Sequence, residues 1–144
     1  MAIRHLYTVL CDYLITHADG RTSAAGIFHN VEVRDFPAGK DPMGVVVAFA
    51  GDGGEPYEVA LEGPGGFRQG MAEGTLEHPA ELREHQQWAV VLAVTASPAI
   101  FPSPGVYRIV VRSGGVEIHA HPFGVLRRRT PDEEGGSDGD IAPR

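Results

Sequence analysis

The sequence predicts an all-β protein, a two-sheet antiparallel β-sandwich of about seven to eight strands. Its 144 residues include 19 glycines and 11 prolines spread along the chain, more than a helical protein tolerates. Short runs of alternating apolar and polar residues recur with turn residues between them, and no long segment has convincing helical periodicity. The pattern leaves an immunoglobulin-like and a jelly-roll topology equally open.

The first half of the chain predicts a hairpin followed by two more strands. Residues 3–17 are rich in Leu, Tyr, Val and Ile and form the long first strand. Asp19-Gly20 supplies the turn, and residues 24–36 resume the strand pattern. Composition and alternation then predict a Pro/Gly loop at 37–44, a buried strand at 45–51 and a strand with one solvent-exposed face at 57–63.

The second half predicts a weak strand, a short helix and a final hairpin. Glycines permit a strand at 67–76, and Pro79 is placed to open a helix through residues 80–86. An apolar strand follows at 87–97 and a rigid Pro-rich loop at 98–104. The chain then forms a hairpin at 105–128, with Ser113-Gly114-Gly115 at its tip, and a polar tail at 129–144. We therefore expect one sandwich domain over residues 1–128 and a disordered tail over 129–144.

Composition restricts compartment and partners. The formal net charge of −7 repels phosphate backbones, so we expect no nucleic-acid partner. Cys11 is the single cysteine, which excludes an intramolecular disulfide and favours a reducing cytoplasm. Asp12 interrupts the apolar N-terminal run, and no apolar run reaches the ~18 residues of a membrane span. Neither a signal peptide nor a membrane association is expected.

Four segments resemble a bacterial family of small proteins known only as a domain of unknown function. They are "LYTVLCDYLI", "GRTSAAGIF", "SPGVYRIVV" and "GVEIHAHPFGV". The shared plan is a Cys-Asp-Tyr in the first strand, a Gly-[Ile/Val]-[Phe/Trp] in the second and a Pro-Gly-x-Tyr at the start of the final hairpin. The resemblance covers residues 3–126. It implies a β-sandwich and carries over no catalytic residue.

His119 and His121 are candidate metal ligands. On a strand their rings leave the same face, with Cβ atoms roughly 6–7 Å apart, which suits one divalent transition metal. The pair also resembles the first metal motif of cupin barrels, but Val125 stands where cupins have glutamate and no histidine follows His121. The fold would have to supply a third ligand, from His5, His17, His29, His78, His85 or a carboxylate such as Asp12. The alternative is an ordinary solvated strand face and no cofactor.

Ile100 and Phe101 are candidate partner-binding residues, because an apolar pair between prolines forms a rigid knuckle unless it tucks under the sandwich. No nucleophile motif, phosphate loop or paired carboxylates appear in the sequence, which favours a non-catalytic protein. We expect a protein-binding or assembly module that contacts a partner or itself, as a homo-oligomer, through a sheet edge, residues 98–104 or the tail. The alternatives are a cupin-like metal-dependent enzyme centred on His119 and His121, and a structural subunit of a larger particle.

Overall fold

The computed structural model of the protein describes residues 3–129, and this part of the chain holds eleven β-strands. They are β1 (Arg4–Thr16), β2 (Thr22–Ile27), β3 (Asn30–Val33), β4 (Ala38–Lys40), β5 (Met43–Ala50), β6 (Pro56–Glu62), β7 (Arg68–Thr75), β8 (Val90–Ala96), β9 (Ala99–Phe101), β10 (Gly105–Ser113) and β11 (Val116–Arg127). The all-β prediction is confirmed. The predicted tail at 129–144 lies, apart from Arg129, outside the described residues.

The strands form two main sheets and a small one. The first sheet has the order β2-β1-β5-β8, the second sheet β3-β11-β10-β6-β7, and the small sheet pairs β4 with β9. Alternate residues of both main sheets point to a shared core, which gives the sandwich arrangement. The larger core side chains are Leu10, Met43, Val45, Val47, Phe49, Val59, Leu61, Phe101, Tyr107, Ile109, Val111 and Phe123.

The predicted first hairpin is confirmed, but its second arm does not continue as one strand. Cys11 pairs with Ile27 and Thr16 with Thr22, and β2 then ends. Phe28, only 6% exposed, inserts into the core. The chain then enters the second sheet, where β3 pairs in parallel with β11. The single strand predicted over 24–36 is wrong because burying Phe28 takes the chain across from one sheet to the other.

Two local predictions are also corrected. Residues 80–86 form no helix: His85 has a φ of +67°, outside the helical region, and so short a segment gains little from helix propagation alone. The loops predicted at 37–44 and 98–104 contain the antiparallel pair β4 and β9. The prolines of 98–104 flank the three paired residues of β9, so the ladder keeps its N–H donors.

Tyr107 joins the final hairpin to the core. The hairpin forms as predicted, with Gly114 and Gly115 at positive φ in its turn. The buried Tyr107 ring lies edge-on to Phe101, with ring centroids 5.1 Å apart. Its hydroxyl donates to the Ser103 carbonyl at 2.6 Å and accepts the Ser103 N–H at 3.3 Å. The phenol therefore packs against apolar rings at one end and satisfies backbone groups at the other.

Tyr107→Phe removes this hydroxyl and leaves the Ser103 carbonyl without its partner. We expect a loss of about 1–2 kcal/mol in the free energy of unfolding, measured by urea denaturation. Tyr13→Phe is the matched control, because that side chain is 60% exposed and should change stability very little. Equal stabilities for Tyr107→Phe and the wild type would contradict this role.

Candidate functional site

The outer face of the second sheet, here called the charged face, carries a network of ion pairs. Glu62 lies 2.5 Å from Arg112 Nη1 and 3.3 Å from Arg108 Nη2, and Arg68 bridges it to Glu58. The hydrogen bond from Arg112 is the main cause that lowers the pKa of the Glu62 carboxyl. These pairs join neighbouring strands, as opposite charges do when they face each other across a sheet.

The outer face of the first sheet, here called the apolar face, has a different composition. Because Val45, Val47 and Phe49 of β5 point to the core, their alternate neighbours and the residues paired with them point outward. The residues so assigned are Tyr7, Val9, Cys11, Tyr13, Ile15, Ser23, Ala25, Ile27, Gly44, Val46, Ala48, Val91, Ala93 and Thr95. None of these described residues carries a charge, and the first charge on this side of the sheet is Arg4, which pairs with Ala50 at the margin.

The apolar face has tall side chains around a low centre. Tyr13 is 60% exposed, Ile27 58% and Val91 50%. At the centre Val46 and Ala48 are almost fully buried between their neighbours. Large apolar side chains exposed together on one surface are uncommon in a monomer and mark sites of association. This surface was not predicted from the sequence, although a signal was present: the outward residues of β1 from Tyr7 to Ile15 are all uncharged and mostly large and apolar.

The three residues of the Cys-Asp-Tyr segment have different structural roles. Burial raises the pKa of the Cys11 thiol, which keeps it protonated and weakly nucleophilic. Asp12 accepts a hydrogen bond from Lys40 Nζ at 2.7 Å, which ties β1 to β4. Tyr13 stands on the apolar face. Asp12 is therefore engaged in a structural ion pair.

His119 and His121 lie on the inner side of β11, not on its solvated side. They pair in unbroken register with Val111 and Ile109, which point to the core, so alternation places both rings on the inner side. Both are half-buried near the margin of the sandwich. The fold brings His5 of β1 against them: its ring stacks on His119 with centroids 3.7 Å apart and an interplanar angle of 7°.

These residues and His29, in the crossover after β2, form what we call the histidine cluster. Burial lowers the pKa of His5, and the imidazoles of His119 and His121 lower it further. Burial likewise lowers the pKa of His121, with contributions from His119 and His29. Of the other proposed third ligands, His17 instead shares a hydrogen bond with Ser23. Burial thus favours the neutral form of His5 and His121.

The cluster as it stands does not have the form of a metal site. Imidazole lone pairs lie in the ring plane, so two parallel stacked rings direct theirs alongside each other and not toward one point. Within residues 3–129 no group of three or more His, Cys, Asp or Glu is arranged to hold a metal ion. The metal assignment of His119 and His121 stays a prediction.

The structure separates the two candidate partner residues. Phe101 is fully buried and contacts Tyr107 and Phe123, so it is tucked under the sandwich. Ile100 is 37% exposed, and its N–H donates to Gln69 Oε1 at 3.0 Å. Of the predicted apolar surface pair, only Ile100 is partly exposed, and its backbone is hydrogen-bonded to β7.

Fold and surfaces together define an all-β sandwich with one charged and one apolar outer face. The chain belongs to the family of unknown function DUF6941, whose model matches residues 6–126. This confirms the expected membership of an uncharacterised family. Neither the curated proteins nor the solved structures provide a match. Over residues 3–129, no helix has the length and apolar character needed to cross a membrane.

The histidine cluster predicts a loss of stability in mild acid. His5 and His121 take up protons in the unfolded chain near the ordinary pKa of 6.5, but only at lower pH in the folded protein. Their contribution to the free energy of unfolding is therefore complete above pH 6.5 and decreases as the pH falls through the window below it. Urea denaturation at pH 7.5 and 5.0 measures this decrease.

The double variant His5→Gln with His121→Gln should show a smaller decrease than the wild type, because it lacks both titrating groups. His78→Gln, a substitution in an exposed loop outside the cluster, serves as the control and should behave as the wild type. The same pH dependence in the wild type and the double variant would show that the cluster does not couple protonation to folding.

Proposed function

We propose that this protein is a non-catalytic module that binds protein through its apolar face. The observation that supports this most directly is the contrast between the two outer faces of one sandwich. The charged face satisfies Arg108, Arg112 and Glu62 within itself, as a solvated sheet surface does. The apolar face instead presents Tyr13, Ile27 and their neighbours to solvent. Tyrosine and aliphatic side chains without charges are typical of the centre of protein interfaces.

The size of the apolar face fits this role. Strands lie about 4.8 Å apart and rise about 3.3 Å per residue, so each outward residue covers about 32 Å² and the residues of the face together cover roughly 450 Å². A patch of this size is at the upper end of what monomers expose. Covering it would remove water from several large side chains at once, which is the main favourable contribution to association.

The setting we propose is the cytoplasm of a bacterium. A buried thiol at Cys11 and a stabilised core without cross-links suit a reducing compartment. We also propose that the Cys-Asp-Tyr and Pro-Gly-x-Tyr segments are structural features of the family. The Asp12 ion pair with Lys40 and the buried Tyr107 support this.

Site-specific photo-crosslinking tests the proposal without assuming which protein binds. A benzophenone amino acid placed at Tyr13 should yield a discrete protein adduct in cells that express the full chain. The same probe at Val106, which is 65% exposed on the charged face, is the matched control and should yield much less. A probe at Ile100 tests the earlier partner prediction. No adduct at Tyr13, or equal adducts at Tyr13 and Val106, would contradict binding through the apolar face.

A second candidate function is binding of a divalent transition metal, and one observation favours it: the fold stacks His5 on His119, two residues from His121. Neutral imidazoles are common ligands for such metals, and burial favours the neutral form of His5 and His121. Binding would require His5 to unstack from His119, so the cluster would have to rearrange around the ion.

Calorimetric titration of untagged protein with Zn²⁺ tests this second candidate. If the cluster binds metal, the wild type should bind one equivalent, and the double variant His119→Ala with His121→Ala should bind none. His85→Ala, in an exposed turn outside the cluster, should bind as the wild type does. Absence of a stoichiometric transition in the wild type would exclude a Zn²⁺ site.

A further inference from the structure

We infer that the occupant of the apolar face is a second copy of this chain, packed face to face about a two-fold axis. This inference rests on the proposed function and names its partner. A two-fold interface brings the same surface of each copy together, so that surface must be complementary to itself. Three properties of the apolar face meet this condition: its charge, its relief and its area.

The absence of charge removes the main obstacle to self-pairing. The chain carries a formal net charge of −7, so two copies repel each other over most of their surfaces. Contact through the described residues of the apolar face opposes no like charges and buries no unpaired ion, a cost that the charged face would incur at Arg108 and Glu62. On the outward side of β1 the nearest charge is Arg4, beyond Tyr7 at the margin of the face, and Asp12 on the opposite side of the strand is paired with Lys40.

The relief of the face allows two copies to interlock. One row across the sheet, Tyr7-Ala48-Val91, has tall side chains at both ends. The next row, Val9-Val46-Ala93, is lower and forms a trough beside it. Rows on one face of a sheet are about 7 Å apart, which leaves room between the tall side chains of one copy for those of the other.

The area suits a reversible dimer. Two footprints of roughly 450 Å² bury about 900 Å² in total, in the range of weak and reversible interfaces. For an interface of this size, we expect dissociation in the micromolar range. The chain's own C-terminal segment is a poorer occupant: residues 130–144 contain five acidic residues, no aromatic residue and one large aliphatic residue, Ile141.

Sedimentation velocity on the full chain from about 1 to 200 μM tests the inference. The wild type should shift from monomer to dimer across this range and form nothing larger. Ile27→Glu and Val91→Glu each place a charge at the contact and should weaken the dimer at least about tenfold. Val106→Glu, which adds the same charge at an exposed position of the charged face, should dimerise as the wild type does.

Circular dichroism of each variant confirms that the fold is retained, which is expected because the three replaced side chains are at least half exposed. A wild type that stays monomeric at 200 μM overturns the inference, as does equal weakening by Val91→Glu and Val106→Glu. If the wild type is monomeric while a probe at Tyr13 still crosslinks a different protein, the partner inference fails and the proposed function survives. If neither association is seen, both fail.

Discussion

The structure depends on the burial of β5 on both of its faces. From Met43 to Phe49 no residue of this strand is more than slightly exposed, yet the second sheet covers only one face. Val45 and Val47 are enclosed by the core, whereas Val46 and Ala48 are enclosed by taller side chains on the strands beside them. The first sheet therefore excludes water on its outer side without a second layer. As a consequence, the side chains of Tyr13, Ile27 and Val91, which surround this centre, stay exposed to solvent.

Both main sheets have an apolar central strand whose outer face must be shielded from water, and they shield it in different ways. On the charged face, Ala60 and Val110 are fully buried beneath the network of ion pairs centred on Glu62, so the side chains in contact with solvent are charged. On the apolar face, the corresponding shielding comes from aromatic and aliphatic side chains that themselves remain exposed. The first solution suits a surface that stays in water, and the second suits a surface that is later covered.

The histidine cluster illustrates how tertiary packing changes the chemistry of a local motif. His119 and His121 share a side of β11, as their spacing predicts, but that side faces the core because Phe123 and Val125 continue it inward. Partial burial and the neighbouring imidazoles lower the pKa of His5 and of His121, so tertiary packing holds these two rings toward their neutral form.

Sequence alone determined the fold class, the buried strand at Val45–Val47 and the final hairpin, because alternation and turn residues act locally. It did not determine that Phe28 carries the chain into the second sheet, that β4 and β9 pair, or that His5 meets His119. Each of these joins residues distant in the chain, and loop closure between them leaves no periodic pattern. The apolar face was not predicted either, because the alternation along β1 does not say which side of the assembled sheet remains uncovered.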